Sequence, residues 1–435
     1  MRWTDARKVL LGAGAVLALC APMASAAPAA PPTGSAPAGS AGSTTLTVEE
    51  QRLAKEGPQE ILRRSGFDAL VPEFARSLEG AGSYGEAARI TGRSGAGLWE
   101  RAVDRVQGRG PAGGDLSRDD DRPLYWARLG MTKALREWSP SFELSEARRA
   151  ELIARLERTS RGQDSIHLPA GRQVKRIVVT GFDPFQLDAD IRRSNPSGAA
   201  ALALDGTTIR TDSGPARIET AVFPVRWGDF ADGTVERTLL PHFRSGARQV
   251  DMFTTISQGR VGRFDVERFN GAWRGGYPDN VNVSRTETVP VPEGIPTLEP
   301  QPQWTATSLP YREIVDADTG DFPVNDNTAV TEIPAGGTGP VDRPDGPTEG
   351  STARAGGGGN YLSNEIAYRA TLLRDALGLT VPGGHLHTPV LQFGAGNTDP
   401  ATGQITDPEF IRNRLAITEQ VRSVIRTGAG TLSRG

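Results

Sequence analysis

Apolar positions follow a helical period through the first part of the chain. Thr47-Val48-Glu49-Glu50 has the spacing of a helix capping box, so a helix is expected to begin there. A typical apolar stripe further on consists of Leu124, Ala127, Met131, Leu135 and Trp138. Amphipathic helices bury such a stripe and expose the opposite face. The pattern predicts a helical accessory region over residues 46–170, and it shows no recognisable chemistry.

Short apolar runs alternate with helical segments from residue 171 onwards. Predicted strands lie at 174–180, 217–225 and 249–256, and predicted helices at 196–203, 235–242 and 363–377. Strands that alternate with helices indicate a parallel sheet covered on both faces. We therefore expect an α/β fold over residues 171–435, a three-layer α/β/α sandwich with a mostly parallel central sheet. Proline- and glycine-rich segments at about 285–306 and 316–357 are expected to be long loops.

The first 45 residues have the composition of a targeting segment followed by a linker. Residues 1–26 combine a basic start, an apolar stretch and a small-residue cleavage site, so they predict a secretory signal peptide. Residues 27–45 predict a flexible linker. The apolar stretch is too short to span a bilayer, so no membrane partner is expected after cleavage. Cys20 is the single cysteine and lies in this signal, so a secreted chain without disulfides is expected.

Composition and charge exclude two classes of ligand. The formal net charge is -3, and no basic stripe with interleaved aromatic residues occurs, so no nucleic-acid partner is expected. The glycine run at 356–359 is not followed by the Lys-Ser or Lys-Thr pair of a phosphate-binding loop. We therefore expect no nucleotide and no other cofactor.

Ser363 and two histidines are the candidate chemical groups of the C-terminal region. The glycine run delivers Ser363 to the start of a predicted helix, where developing negative charge is favoured. His385 and His387 lie on the same side of the strand that follows. Two other interpretations stay open. Ser363 would also serve as a helix N-cap, and the histidines would also form a metal pair if a third ligand joined them.

Several short motifs follow one another through the α/β region. In chain order they are Val178–Phe185 with Asn195-Pro196, Gly259-Arg260 with Glu267-Arg268, Pro278–Asn280, Thr307–Pro310, Gly359–Asn364 and Gly384–Pro389. Together they resemble the motifs of pyroglutamyl peptidase I, also called pyrrolidone-carboxylate peptidase. The resemblance covers roughly residues 172–395 and leaves out the helical N-terminal region.

The resemblance implies an activity and a set of catalytic residues. Members of that family remove an N-terminal pyroglutamyl residue from peptides, using a cysteine, a histidine and a glutamate. By position, the histidine corresponds to His387 and the glutamate to Glu267, while Ser363 stands in place of the cysteine. The implied partner is a peptide with an N-terminal pyroglutamate, and no metal is expected.

The resemblance also implies a substrate pocket. Phe182 and Phe185 match aromatic residues that hold the pyrrolidone ring, and Tyr361 takes the place of another. An aromatic pocket suits a flat, uncharged lactam. Gln258 lies near the position of the family's pocket glutamine. Arg274 lies closest to the position where the family has an arginine near the developing oxyanion.

The serine at position 363 leaves two functions open. A cysteine beside a histidine can rest as a thiolate, whereas a serine hydroxyl must lose its proton as it attacks. A Glu267–His387–Ser363 relay would then hydrolyse the amide bond, as Ser-His-acid sites do on other folds. The alternative is an inactive relative that binds pyroglutamyl or other blocked peptide N-termini. The natural substrate, the oligomeric state and the role of residues 46–170 cannot be deduced from the sequence.

Overall fold

The structure, a computed structural model, describes residues 44–171 and 173–433. The predicted signal peptide (1–26) and residues 27–43 of the predicted linker lie outside the described residues. Secretion therefore stays a prediction. No helix in the described part of the chain has both the length and the apolar character that a membrane span requires.

The predicted N-terminal helices pack against the α/β region. They are α1 (Val48–Gln51), α2 (Glu56–Ser65), α3 (Leu70–Glu79), α4 (Tyr84–Val106), α5 (Arg122–Glu137) and α6 (Glu146–Thr159). The capping box is confirmed, since Thr47 and Glu50 exchange backbone-to-side-chain hydrogen bonds of 2.7 and 3.2 Å. The hydrophobic core of these helices also includes Leu202, Val222 and Ile405. The helices therefore share a core with the residues that follow them.

The remaining chain alternates strands and helices. The strands are β1 (Lys175–Phe182), β2 (Thr207–Thr211), β3 (Gly214–Phe223), β4 (Met252–Gln258), β5 (Phe264–Glu267), β6 (Phe269–Gly271), β7 (Trp273–Gly275), β8 (Thr286–Thr288), β9 (Trp304–Ala306), β10 (Val324–Asn327), β11 (Val330–Ile333), β12 (Val341–Arg343), β13 (Thr352–Ala355) and β14 (Gly383–Thr388). The helices are α7 (Pro196–Leu204), α8 (Trp227–Ala231), α9 (Thr234–Phe243), α10 (Tyr311–Asp316), α11 (Leu362–Ala376) and α12 (Pro408–Gly430).

The described residues form a seven-stranded main sheet in the order β10-β5-β14-β4-β1-β3-β2. Neighbours are parallel except at β5/β14 and β2/β3. Ile177 and Val179 of β1 face a core shared with α12, whereas Val178 faces a core shared with α9 and α11. Successive strand residues point to opposite faces, so helices cover both sides of the sheet. The predicted α/β fold with a mostly parallel central sheet is confirmed.

Short strands occupy parts of the two segments for which the sequence predicts loops. Residues 285–306 contain β8 and β9, and residues 316–357 contain β10 to β13. Each of these strands has three or four residues, too few for an alternating pattern to stand out. Their pairing is also non-local: Asn327 in β10 lies opposite Glu267 in β5. Local sequence therefore gives little indication of them.

Buried ion pairs join the helical region to the main sheet. Asp183 directly follows β1, and its two carboxylate oxygens accept hydrogen bonds from Arg128 of α5 and from Arg161. Arg161 lies 3.0 Å away through Nε and 2.9 Å away through Nη2. The side chain of Arg128 is 0% exposed, that of Arg161 2% and that of Asp183 4%. A carboxylate so enclosed by two cations is costly to remove.

We expect Asp183→Asn to lower the free energy of unfolding by about 3 kcal/mol, because the buried Arg128 guanidinium loses its carboxylate and Arg161 keeps only that of Glu157. The matched control is Asp115→Asn, which removes the partner of Arg64 from a pair whose aspartate is 72% exposed. Water replaces such a partner, so the control should change stability little. Urea unfolding of both variants measures the difference, and equal costs would contradict the importance of the buried pairs.

Candidate active site

Glu267 and His387 form a buried acid–histidine pair. Strand β5 runs antiparallel to β14, with His385 opposite Glu267 and His387 opposite Asp265. Glu267 Oε1 lies 2.7 Å from His387 Nδ1. Glu267 is fully buried and His387 is 6% exposed. Within the described residues, His387 Nε2 has no hydrogen-bond partner. A carboxylate on Nδ1 orients the ring and leaves Nε2 to accept a proton.

Asn327 holds the second oxygen of Glu267, and no motif in the sequence marks this residue. Its side-chain amide donates to Glu267 Oε2 at 2.6 Å and lies 3.2 Å from the carbonyl oxygen of Gly357. Asn327 belongs to β10, inside a segment for which the sequence predicts loop. With both oxygens bound, the carboxylate of Glu267 is fixed in orientation toward His387.

The glycine run lies directly against the acid–histidine pair. A Cβ atom on Gly357 would overlap Glu267 Oε2, and one on Gly358 would lie 3.2 Å from His387 Cε1. Any other residue type at position 357 would force the carboxylate or the turn to move. From the sequence alone, the glycine run is recognisable only as a turn before Ser363. Its close approach to Glu267 and His387 is visible only in the folded chain.

Ser363 is the second residue of α11 and does not cap it. The N-cap is Tyr361, and no side chain caps this helix. The N-cap interpretation of Ser363 is therefore wrong. Its hydroxyl donates to the carbonyl oxygen of Gly358 at 3.0 Å, and it makes no hydrogen bond to His387 in this structure. Gly358 thus lies beside the histidine ring and binds the serine hydroxyl.

The start of α11 presents unpaired backbone donors. Within the described residues, the N–H groups of Leu362, Ser363 and Asn364 have no hydrogen-bond acceptor, as is usual for the first turn of a helix. The Asn364 side chain is engaged, since it accepts from Gly271 N at 2.9 Å and donates to Gly271 O at 2.8 Å. The helix start is therefore tied to β6, and its free N–H groups favour a neighbouring negative charge.

The predicted pocket residues line one cavity together with Ser363. This aromatic pocket has a volume of about 60 Å³, and Phe182, Phe185, Tyr361 and Gln258 contribute to its wall. The rings of Phe185 and Tyr361 have centroids 6.4 Å apart. Gln258 Oε1 accepts from the backbone N–H of Leu391 at 3.1 Å. Its amide N–H₂ group has no acceptor within the described residues and is available to a ligand.

The helical region holds the segment between Phe182, the last residue of β1, and Phe185 in the loop that follows. Asp183, between them, is bound by Arg128 and Arg161 as described above. The carbonyl oxygen of Pro184 accepts from Asn280 Nδ2 at 2.8 Å. Arg52, which follows α1, donates in turn to the Asn280 carbonyl at 2.5 Å. The position of the aromatic wall therefore depends on residues for which the sequence suggested no role.

His385 is fully buried with both ring nitrogens engaged. Nδ1 lies 2.8 Å from Thr255 Oγ1, and Nε2 lies 2.8 Å from Ser257 Oγ. Burial, with a smaller effect of nearby His387, lowers the pKa of His385 well below its usual value, so the ring is neutral. In the described residues, no group of three or more His, Cys, Asp or Glu side chains is placed to hold a metal ion.

Arg274 is engaged in ion pairs with two carboxylates, of which Glu365 is buried. Its Nε and Nη2 donate to Glu365 of α11 at 2.8 and 2.6 Å, and its Nη1 donates to Glu287 at 2.8 Å. These bonds tie β7 to α11 and to β8. Support of an oxyanion by Arg274 stays a prediction, since its three nitrogen atoms all face carboxylates in this structure.

The fold and the site define an α/β protein with a Glu–His pair and a serine at an aromatic pocket, and the chain belongs to the PA0049 family. Two family models match. The model of the PA0049 N-terminal domain matches residues 28–157, and the model of the PA0049 C-terminal domain matches residues 176–301 and 321–392. The chain is similar to the uncharacterized protein PA0049 of Pseudomonas aeruginosa. The two are 34% identical in an alignment 492 positions long, which covers 91% of this chain and 87% of PA0049.

The chain is similar, at a low level, to solved structures of pyroglutamyl peptidases. A mutant pyrrolidone carboxyl peptidase from the hyperthermophile Pyrococcus furiosus has 20% identity and a TM-score of 0.39, covering 59% of this chain and 99% of its own. Pyroglutamyl peptidase I from Bacillus amyloliquefaciens has 18% identity and a TM-score of 0.40, covering 60% and 98%. Likeness at this level says nothing about activity.

We expect Gly357→Ala to lower the free energy of unfolding by about 1–3 kcal/mol, because the new methyl group overlaps the Glu267 carboxylate. It should also shift the ring-proton NMR signals of His387, which are assigned with His387→Ala; the chain has 4 histidines. Gly396→Ala is the matched control, since a Cβ there meets nothing within 4 Å. Unchanged His387 ring-proton signals in Gly357→Ala would contradict the close packing of the turn.

Proposed function

We propose that the protein is an exported hydrolase that cleaves the amide bond after an N-terminal pyroglutamyl residue. The observation that carries this proposal is the convergence at one place of three features. These are the Glu267–His387 pair, the glycine turn that packs against it, and Ser363 in the aromatic pocket. Export is supported by the predicted signal peptide alone. Together, the pocket and the pair supply a place for the ring and a base for the nucleophile.

The aromatic pocket suits a pyrrolidone ring. Phe182, Phe185 and Tyr361 offer aromatic surface to a flat lactam, and an uncharged ring loses little on leaving water. The free amide N–H₂ group of Gln258 can donate to the lactam carbonyl. A charged N-terminal amine would find no carboxylate among the residues that line this cavity. The pocket therefore favours a blocked N-terminus over a free one.

Catalysis would proceed through an acyl-serine. Ser363 Oγ turns from the Gly358 carbonyl, gives its proton to His387 Nε2 and bonds to the scissile carbonyl carbon. Glu267 stabilises the resulting imidazolium, and the free N–H groups at the start of α11 stabilise the oxyanion. The C–N bond then breaks as His387 gives its proton to the leaving amine. Water, deprotonated by His387, hydrolyses the ester, and Ser363 regains its proton.

One observation favours the second candidate, a binding protein without turnover. The Ser363 hydroxyl donates to the Gly358 carbonyl and not to His387. In that arrangement the hydroxyl is not activated, because no base accepts its proton. The aromatic pocket would still hold a pyroglutamyl ring. The two candidates differ only in whether Ser363 can turn to His387 when a ligand is bound.

We expect Ser363→Cys to raise the hydrolysis of a pyroglutamyl chromogenic amide above the wild-type rate. A thiol at the start of α11, beside His387, loses its proton more readily than a hydroxyl. A thiol-alkylating reagent should abolish the gain, and alkylated wild type is the control because Cys20 is its single cysteine. His387→Ala in the Ser363→Cys background should also abolish the gain.

The outcomes separate the candidates. If the wild type hydrolyses the amide and Ser363→Ala does not, the protein is a serine hydrolase. If the wild type is active and Ser363→Cys is slower, the site is adapted to a hydroxyl nucleophile. No turnover in either protein, with pyroglutamyl peptide bound in calorimetry, supports the binding protein. Neither turnover nor binding would overturn the proposed function.

A further inference from the structure

A second cavity adjoins the aromatic pocket. It has a volume of about 230 Å³, and Phe185 and Gln258 contribute to the walls of both cavities. Its other walls mix apolar side chains, including Leu391 and Phe393, with polar ones. Together the two cavities approach the size of a small-molecule site, for which about 300 Å³ is a lower bound. A ligand whose ring fills the aromatic pocket can therefore extend past Phe185 and Gln258.

Arg193 is the unneutralised charge of this second cavity. Asp190 and Arg193 are the charged side chains that line it. Asp190 is already paired, since Arg192 donates to its two oxygens through Nε at 2.9 Å and through Nη2 at 2.8 Å. Arg193 has no carboxylate partner within the described residues. Its Nη1 donates to the Gln186 side chain at 2.7 Å. The cavity thus carries one excess positive charge.

Part of the Arg193 guanidinium is buried without a hydrogen bond. Its Nε atom is inaccessible to solvent and has no acceptor in the described part of the chain. Burial lowers the pKa of Arg193, and the nearby Asp190 carboxylate opposes this effect. The guanidinium therefore has hydrogen-bonding capacity that the described residues do not use. A partly dehydrated guanidinium binds a planar anion most strongly.

We infer that the second cavity binds a carboxylate on the peptide portion of the ligand, with Arg193 as its ion-pairing residue. The inference rests on the proposed pyroglutamyl site, because the ring in the aromatic pocket directs the rest of the peptide. Every unmodified peptide carries a carboxylate at its C-terminus, and acidic side chains supply the same group. The protein would accordingly prefer short or acidic pyroglutamyl peptides with a free carboxylate within reach of Arg193.

The test compares free acids with amides. Pyroglutamyl peptides with one, two or three alanines, each as the free acid and as the C-terminal amide, are titrated into Ser363→Ala by calorimetry and offered to wild type for turnover. Pyroglutamyl-glutamate amide tests a side-chain carboxylate. For at least one peptide length, we expect the free acid to bind, or to be hydrolysed, about tenfold better than the matching amide.

The Arg193 variants assign that preference to the residue. Arg193→Gln should remove the preference for free acids and leave the binding of the amides unchanged. Arg193→Lys should keep part of the preference, because lysine keeps the positive charge but lacks the planar guanidinium. Arg210→Gln is the matched control, since Arg210 is an exposed arginine in the edge strand β2. Circular dichroism checks that each variant is folded.

Failure of the inference can be told apart from failure of the proposed function. Equal binding and turnover of acids and amides, or a preference that survives Arg193→Gln, overturns the inference and leaves the proposed function standing. Preferential binding of acids without turnover supports the inference and favours the binding protein. Absence of any binding overturns both.

Discussion

The buried carboxylate of Asp183, held between Arg128 and Arg161, is the interaction on which the rest of the arrangement depends. It closes the junction between the helical region and the main sheet, and it lies between Phe182 and Phe185 in the chain. Both guanidinium groups have left water. Arg128 has this carboxylate as its ion-pair partner, and Arg161 has it together with that of Glu157, so solvent cannot readily replace the pairing. The N-terminal helices therefore fix the geometry of the aromatic wall as well as covering the sheet.

Strand direction supplies the second constraint. The antiparallel insertion of β5 in a mostly parallel sheet sets Glu267 beside His387, and Asn327 on the edge strand fixes the remaining carboxylate oxygen. Glycine at position 357 then lets the turn before Ser363 pass without displacing that carboxylate. The acid–histidine pair is thus rigid, whereas the Ser363 hydroxyl is held by a single hydrogen bond to a backbone carbonyl. Its orientation is the adjustable part of the site.

Three polar groups at the proposed site and at the cavity beside it have no protein partner among the described residues. His387 Nε2, the amide N–H₂ of Gln258 and the Nε atom of Arg193 have no hydrogen-bond partner in the described part of the chain. Elsewhere, Asp183 and Arg274 are paired several times over. Folded proteins rarely leave such groups unpaired without a reason. A ring with a peptide attached would find hydrogen-bond partners in these three groups.

The sequence by itself determined the features that depend on neighbouring residues. Alternating strands and helices gave the fold class, the capping box gave the start of α1, and contiguous motifs marked Glu267, His387, Ser363 and the pocket aromatics. Tertiary structure alone decided which distant groups meet. Asn327 reaches Glu267 from a four-residue strand, Arg128 and Arg161 reach Asp183 from the helical region, and Arg193 faces a cavity whose walls are far apart in the chain. Serine is common both as an N-cap and in the first turn of a helix. Only the folded backbone shows that Ser363 is the second residue of α11 and that Tyr361 is its N-cap. Local propensity and motif spacing are properties of short segments, whereas burial and pairing arise only when remote segments pack together.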